Sequence, residues 1–153
     1  SVAIALEYVC PTHVDEWGQV ELMNLLLRNA AVVLATTRVF WYAGLSPHYP
    51  KFVQPLLRLL QTSKEVERVV LAYMLVIARA ENKLFSNCYS RFFLFSQDLQ
   101  VTKRMKIAML MRLIDFDNHQ VILRELIEYS EDPDDEVVSE SIAAIGRCAV
   151  LIP

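Results

Sequence analysis

The chain has 153 residues, 54% of them hydrophobic, and a formal net charge of −3, with a mean hydropathy of +0.29. Its longest uninterrupted apolar run, residues 69–78, is ten residues long, about half of the roughly 20 that a spanning helix needs, and no basic segment followed by an apolar one opens the chain as a signal peptide would. So much apolar side chain without a span implies helices buried on more than one side. The slight acidity gives no electrostatic case for nucleic acid, and three glycines are few for a turn-rich sandwich or a Rossmann fold.

Helix signals dominate in chain order. Residues 2–9 and 15–27 read as two helices crowded together. Asn29 is placed to cap a helix over 30–43, which Gly44 and Pro47 stop. Pro50 suits the first turn of a helix over 51–60. Thr62-Ser63-Lys64-Glu65 is a capping box ahead of a long helix over 65–80. Ser86 is the expected cap for 87–95, Asp98 for 99–114, and Asp117 or Asn118 for 119–129. Asp132-Pro133 supplies a cap and an N1 proline for a helix over 136–149. Strand-period alternation is absent over any useful length.

Four of these helices repeat one another. Leu34, Leu71, Ile107 and Ile142 occupy equivalent places, 37, 36 and 35 residues apart. Three residues further on, Thr37, Met74, Leu110 and Ile145 fall on the same helix face, so the four markers are expected to form one buried row. Long and short helices alternating at about 36 residues make the chain an all-α, HEAT/armadillo-like α-solenoid, a superhelical stack of helix pairs. The TPR pattern of Trp, Gly, Tyr and Pro at fixed offsets is missing. The first 28 residues break the period, which expects a further short helix at 13/14 and another at 28/29. The apolar ends, residues 1–6 and 150–153, carry no polar capping face. Together these lead to the expectation that residues 1–153 are one internal segment of a longer solenoid, with stretches missing at those two junctions.

The residue patterns that could carry chemistry are weak. His13, His48 and His119 have no ligand partner at metal spacing. Cys10, Cys88 and Cys148 are odd in number, far apart and set among apolar residues, as reduced buried thiols are. No nucleophile elbow, P-loop or zincin motif occurs. The acidic run at 131–136 lacks a calcium-loop pattern and suits a helix start. No catalytic residue, cofactor, metal or small-molecule substrate is therefore expected. The candidate partner contacts are Trp41, Tyr42 and Phe93, aromatics that cannot all face inward, and the basic cluster Lys103, Arg104 and Lys106. That cluster reads first as a solvated helix face and second as a surface for acidic lipid or an acidic partner.

Several short motifs, taken in order, resemble one family. Asp15-Glu16-Trp17-Gly18-Gln19-Val20 is similar to the Glu-Trp-Gly-Gln motif of β-adaptins, and Asn29-Ala30-Ala31-Val32-Val33-Leu34 to their Asn-x-Ala-Val-Val-Leu helix start. Glu65-Val66-Glu67-Arg68-Val69-Val70-Leu71 matches their helix after a short Leu-Leu-rich one, and Ile142-Ala143-Ala144-Ile145-Gly146-Arg147-Cys148-Ala149 resembles their Ala-Ile-Gly-Arg-Cys-Ala signature. Glu7-Tyr8-Val9-Cys10-Pro11 resembles a segment of the third adaptor complex. In the family, further stretches stand at 13/14 and 28/29, where the period also fails.

The resemblance implies the trunk of a β-type large chain in a heterotetrameric vesicle adaptor. Its partners would be a second large adaptin chain and the medium and small subunits. Membrane association would be peripheral, on the cytosolic face of Golgi and endosomal membranes and transport vesicles, with traffic toward lysosome or vacuole. No catalytic residue comes with the family. Another HEAT-repeat scaffold, a coatomer large subunit or a nuclear-transport receptor, is the competing expectation.

Overall fold

The computed structural model describes residues 30–44 and 46–151. The expectations for residues 1–29, including the two junctions, Cys10 and His13, lie outside the described residues. The chain divides into two compact units, with the boundary between Gln61 and Thr62. Every described element is helical.

The first unit contains α1 (Ala30–Tyr42), a 3-10 turn (Ser46–His48) and α2 (Pro50–Leu59), with α1 packed on α2. The buried side chains of α1 are Val33, Thr36, Thr37 and Phe40, the i, i+3, i+4, i+7 stripe of one helix face; Leu34 lies at its edge, half-buried. The buried Thr37 hydroxyl donates to the Val33 carbonyl at 2.7 Å, which satisfies it inside the helix. Phe40 anchors the unit, with its ring 5.1 Å from that of Phe52 and 5.7 Å from that of His48. Gly44 has φ +68°, a left-handed conformation in which a side chain would be strained, and its N–H returns to the Trp41 carbonyl at 3.1 Å. This is the helix stop that the glycine signalled.

The second unit holds three long helices, α3 (Lys64–Ala80), α5 (Gln100–Leu113) and α7 (Asp135–Leu151), with α4 (Lys83–Ser86), a 3-10 turn (Tyr89–Phe92) and α6 (His119–Tyr129) between them. The long helices begin 36 and 35 residues apart. Helix α5 packs on both α3 and α7, and α6 packs on α7. Val70, Leu71, Met74, Ile107, Met109 and Leu110 are all at most 1% exposed; burying each such side chain contributes about 1.5–3 kcal/mol.

Four expectations need correction. Ile142 is 58% exposed, and Ser141 and Ala144 are buried instead. The row of Leu71 and Ile107 therefore continues one position earlier, at Ser141, because α7 buries the stripe Val137, Ser141, Ala144 and Cys148. The helix expected over 87–95 is instead the single-turn α4 and a 3-10 turn. The cap of α3 is Ser63 rather than Thr62, its Oγ accepting from the Val66 N–H at 3.3 Å. Asp98 does not cap α5, whose N-cap Leu99 has no side-chain bond; Asp98 is engaged elsewhere, as described next.

Candidate functional site: the hub helix and the exposed aromatics

Helix α5 joins its neighbours through its basic residues. Lys103 and Lys106 share the face of Ile107, Leu110 and Leu113, at the same 3–4 spacing, and that face is buried. A buried ammonium requires carboxylates. Lys106, 2% exposed, has them: its Nζ lies 2.9 Å from Glu67 Oε1 on α3 and 2.7 Å from Asp98 Oδ2. It also stands 5.1 Å from the centre of the Phe95 ring, a cation–π contact. Asp98 Oδ2 in turn accepts the Phe95 N–H at 2.9 Å, so this carboxylate organises the loop ahead of α5 instead of capping it.

On the other side, Lys103, 8% exposed, pairs with Asp132 in the loop before α7. The bond from Lys103 is the main reason that Asp132 is held below the ordinary carboxylate range, with the Asp134 N–H adding to it. Arg104 is more open and reaches Glu136 at 2.9 Å and Glu140 at 3.3 Å on α7. Gln100 donates to Asp134 at 3.1 Å. Asp134 also accepts from the N–H groups of Glu136 and Val137, so it starts α7 where Asp132 was expected to. Asp132, Asp134 and Glu136 of the acidic run are thus taken up by helix capping and by α5.

This arrangement corrects the reading of the basic cluster as a solvated face. Lys103 and Lys106 point inward because their positions fall on the apolar stripe, and only Arg104 of the three is exposed. The spacing 103, 106, 107, 110, 113 carried that signal in the sequence. The carboxylate partners did not announce themselves, since they lie 8 to 39 residues away.

The aromatic candidates separate. Tyr42 is 78% exposed. Trp41 is half-buried with its ring 5.0 Å from that of Tyr49. Phe93 is half-buried and 6.0 Å from the Tyr89 ring. The sequence reading missed Phe116, which is 77% exposed in the loop after α5. That loop is braced: Asp115 Oδ1 accepts from the N–H groups of Asp117 and Asn118 at 3.0 and 2.9 Å, Asn118 Oδ1 accepts from the Asp115 N–H at 2.8 Å, and Asn118 Nδ2 donates to the Leu113 carbonyl at 2.8 Å. The Asp-x-x-Asn spacing between two helices was the available sign of a rigid turn.

Tyr129 ties α6 to the loop before α5. Its hydroxyl donates to Glu125 at 2.7 Å and accepts the Leu94 N–H at 3.0 Å. Burial, then the bond to Glu125, pushes its ionisation well above the ordinary tyrosine value. Cys148 is buried, and burial raises its thiol as well, as expected of an inert structural cysteine. Among the described residues no three His, Cys, Asp or Glu side chains are grouped to hold a metal, and no helix is long and apolar enough to cross a membrane.

Comparison with known proteins places this geometry. The family model described as "Adaptin N terminal region" matches residues 20–153. The chain is 39% identical over 121 residues to "AP3-complex subunit beta-A" of Arabidopsis thaliana, covering 79% of this chain and 12% of that protein. It is 32% identical over 126 residues to "AP-3 complex subunit beta" of Dictyostelium discoideum, covering 82% and 11%. It is 30% identical over 125 residues to "AP-3 complex subunit beta-1" of Bos taurus, covering 82% and 12%. The chain therefore spans about an eighth of the length of these relatives.

Proposed function

Because the chain belongs to the adaptin N-terminal-region family, we propose that it is part of the structural scaffold of a vesicle adaptor complex in intracellular protein transport, of the β-type and most like the third complex. The observation that carries this reading is the family match over residues 20–153, joined by relatives named as β subunits of an AP-3 complex. The role is binding rather than catalysis. The destination is lysosome or vacuole, and the chain acts at the cytosolic face of Golgi and endosomal membranes. Its partners are a second large adaptin chain and the medium and small subunits.

The physical basis is stiffness. A scaffold must hold contact residues at fixed separations, because each side chain or loop ordered on binding costs affinity. In this chain α5 is fastened on both sides by packing and by ion pairs, so α3, α5 and α7 present a surface that is already ordered. In the second unit Arg104 and the braced Phe116 are the exposed contacts this reading favours, with Phe93 supporting them; in the first unit, taken by itself, it is Tyr42, with Trp41. Lys103 and Lys106 serve the scaffold from inside.

The test is affinity capture of the full chain from cytosol, with the bound proteins identified by mass spectrometry. Adaptor subunits, a second large chain with medium and small partners, are expected. Recovery of Ran or of coatomer subunits in their place would overturn the proposal in favour of another HEAT-repeat scaffold.

A further inference from the structure

Within the second unit the three long helices present matching outward stripes. The exposed positions 65, 68, 72 and 76 of α3 correspond to 101, 104, 108 and 112 in α5, where Arg112 is half-buried, and to 136, 139, 143 and 147 in α7. The helices run side by side in the same direction. Lys64 at the start of α3 bonds the Gln97 carbonyl near the start of α5; Arg104 pairs with Glu136 and Glu140 early in α7; and late in each helix Cys148 Sγ lies 3.6 Å from Met111 Sδ. Equivalent positions therefore line up across the stack.

One line across it is alanine on every helix: Ala72, Ala108 and Ala143, all exposed. The next line toward the C-terminal ends is basic. It comprises Arg112 and Arg147, with Arg79 three residues past the equivalent Val76. The charge on Arg79 and Arg112 also suits a last helical turn. Arg147 lies a turn earlier in α7, so the helix dipole does not account for the whole row. Arg112 adds an independent sign: its Nε is buried and has no hydrogen-bond partner among the described residues, and a buried donor left so is costly. Asp115, a carboxylate at the same end, is taken up by its own loop.

We infer that this face of alanines edged by arginines binds an extended acidic segment of a partner protein, laid across α3, α5 and α7. Packed helices stand roughly 10 Å apart, so the three guanidinium groups span about 20 Å. A polyproline-II chain advances about 3.1 Å per residue with three residues per turn, so a carboxylate at every third residue returns to the same face and meets one arginine each. Guanidinium groups grip carboxylates with two parallel bonds. The alanines leave room for a backbone to approach. A single phosphorylated lipid head is too small to engage cations so far apart, which favours a polypeptide. The inference rests on the surface of this chain and holds whichever complex the chain serves.

The experiment measures fluorescence anisotropy of a labelled nonapeptide with glutamate at every third residue, titrated with the full chain. A peptide of the same composition with its glutamates adjacent is the control. Salt-sensitive binding of the spaced peptide is expected, weakened roughly tenfold in R79Q/R147Q, the loss of two ion pairs. Ala108→Glu, which puts a carboxylate among the alanines, should weaken it comparably. Both variants alter exposed positions and should keep the parent thermal melt. Equal binding of the two peptides, or binding indifferent to both variants, overturns the inference. So does arginine-dependent flotation on phosphatidylserine vesicles without peptide binding, which would assign the row to a membrane surface.

Discussion

The two sides of α5 carry their charges differently: one is sealed, and the other mixes a covered pair with open ones. Toward α3 the charge is sealed in: Lys106, 2% exposed, sits between Glu67 and Asp98 under the Phe95 ring. Toward α7, whose buried stripe is Val137, Ser141, Ala144 and Cys148, one pair is also covered, Lys103 with Asp132, while Arg104 with its two glutamates stays open to water. A sealed ion group stabilises little relative to apolar packing, but removing one member strands the others in a dry site. An open pair is screened and easily replaced by water. Loss of Lys106 should therefore cost more stability than loss of Arg104.

Substitutions on the two sides should expose that asymmetry. Lys106→Ala leaves Glu67 and Asp98 facing each other without their cation and is expected to cost about 3–5 kcal/mol, read from urea unfolding of the 153-residue chain. A small loss there would mean that water already reaches the group and that the two interfaces are alike. Leu71→Ala and Ile107→Ala test the apolar part of the same interface; each removes a fully buried side chain and should cost about 2–5 kcal/mol. Tyr129→Phe leaves the Leu94 N–H without its acceptor and should cost about 1–2 kcal/mol, a value that unfolding of the same chain would give.

The open Arg104 pairs should give smaller effects, which depend on solution conditions. Arg104→Ala is expected to cost no more than about 1 kcal/mol, and that cost should shrink as salt is raised. Thermal melts at low and high ionic strength measure both. Asp132 adds a pH signature. Its folded ionisation lies below the ordinary carboxylate value, so its contribution is complete above about pH 4 and is lost as pH falls through the folded value. Asp132→Asn should therefore flatten part of the acid limb of the stability curve and lower stability at neutral pH.

The same contrast explains what could be read from the sequence. Helices α3, α5, α6 and α7 were visible within one or two residues because their signals are local: caps, prolines and the 3.6-residue period. The packing of Leu71 and Ile107 followed from the repeat. The continuation of that row to Ser141 rather than Ile142 did not, because a one-residue change of register is set by what the helix packs against. The broken stretch between α4 and α5 reads as helix from composition, yet Asp98 and Tyr129 hold it open through bonds that span up to 35 residues. Lys103 and Lys106 sat visibly on an apolar stripe, but the carboxylates that permit their burial come from three other segments. The candidate contact surface was legible only as a set of residue types. Which aromatic faces water, and that Phe116 is among them, depends on tertiary packing.

Membership of an adaptor assembly, as proposed for this chain, is open to direct test. The most direct measurement is native mass spectrometry of the complex captured on the full chain. One species with the summed mass of four different subunits is expected: this chain, a second large adaptin, one medium and one small. A species containing only this chain, or a mass assigned to coatomer components, would contradict it.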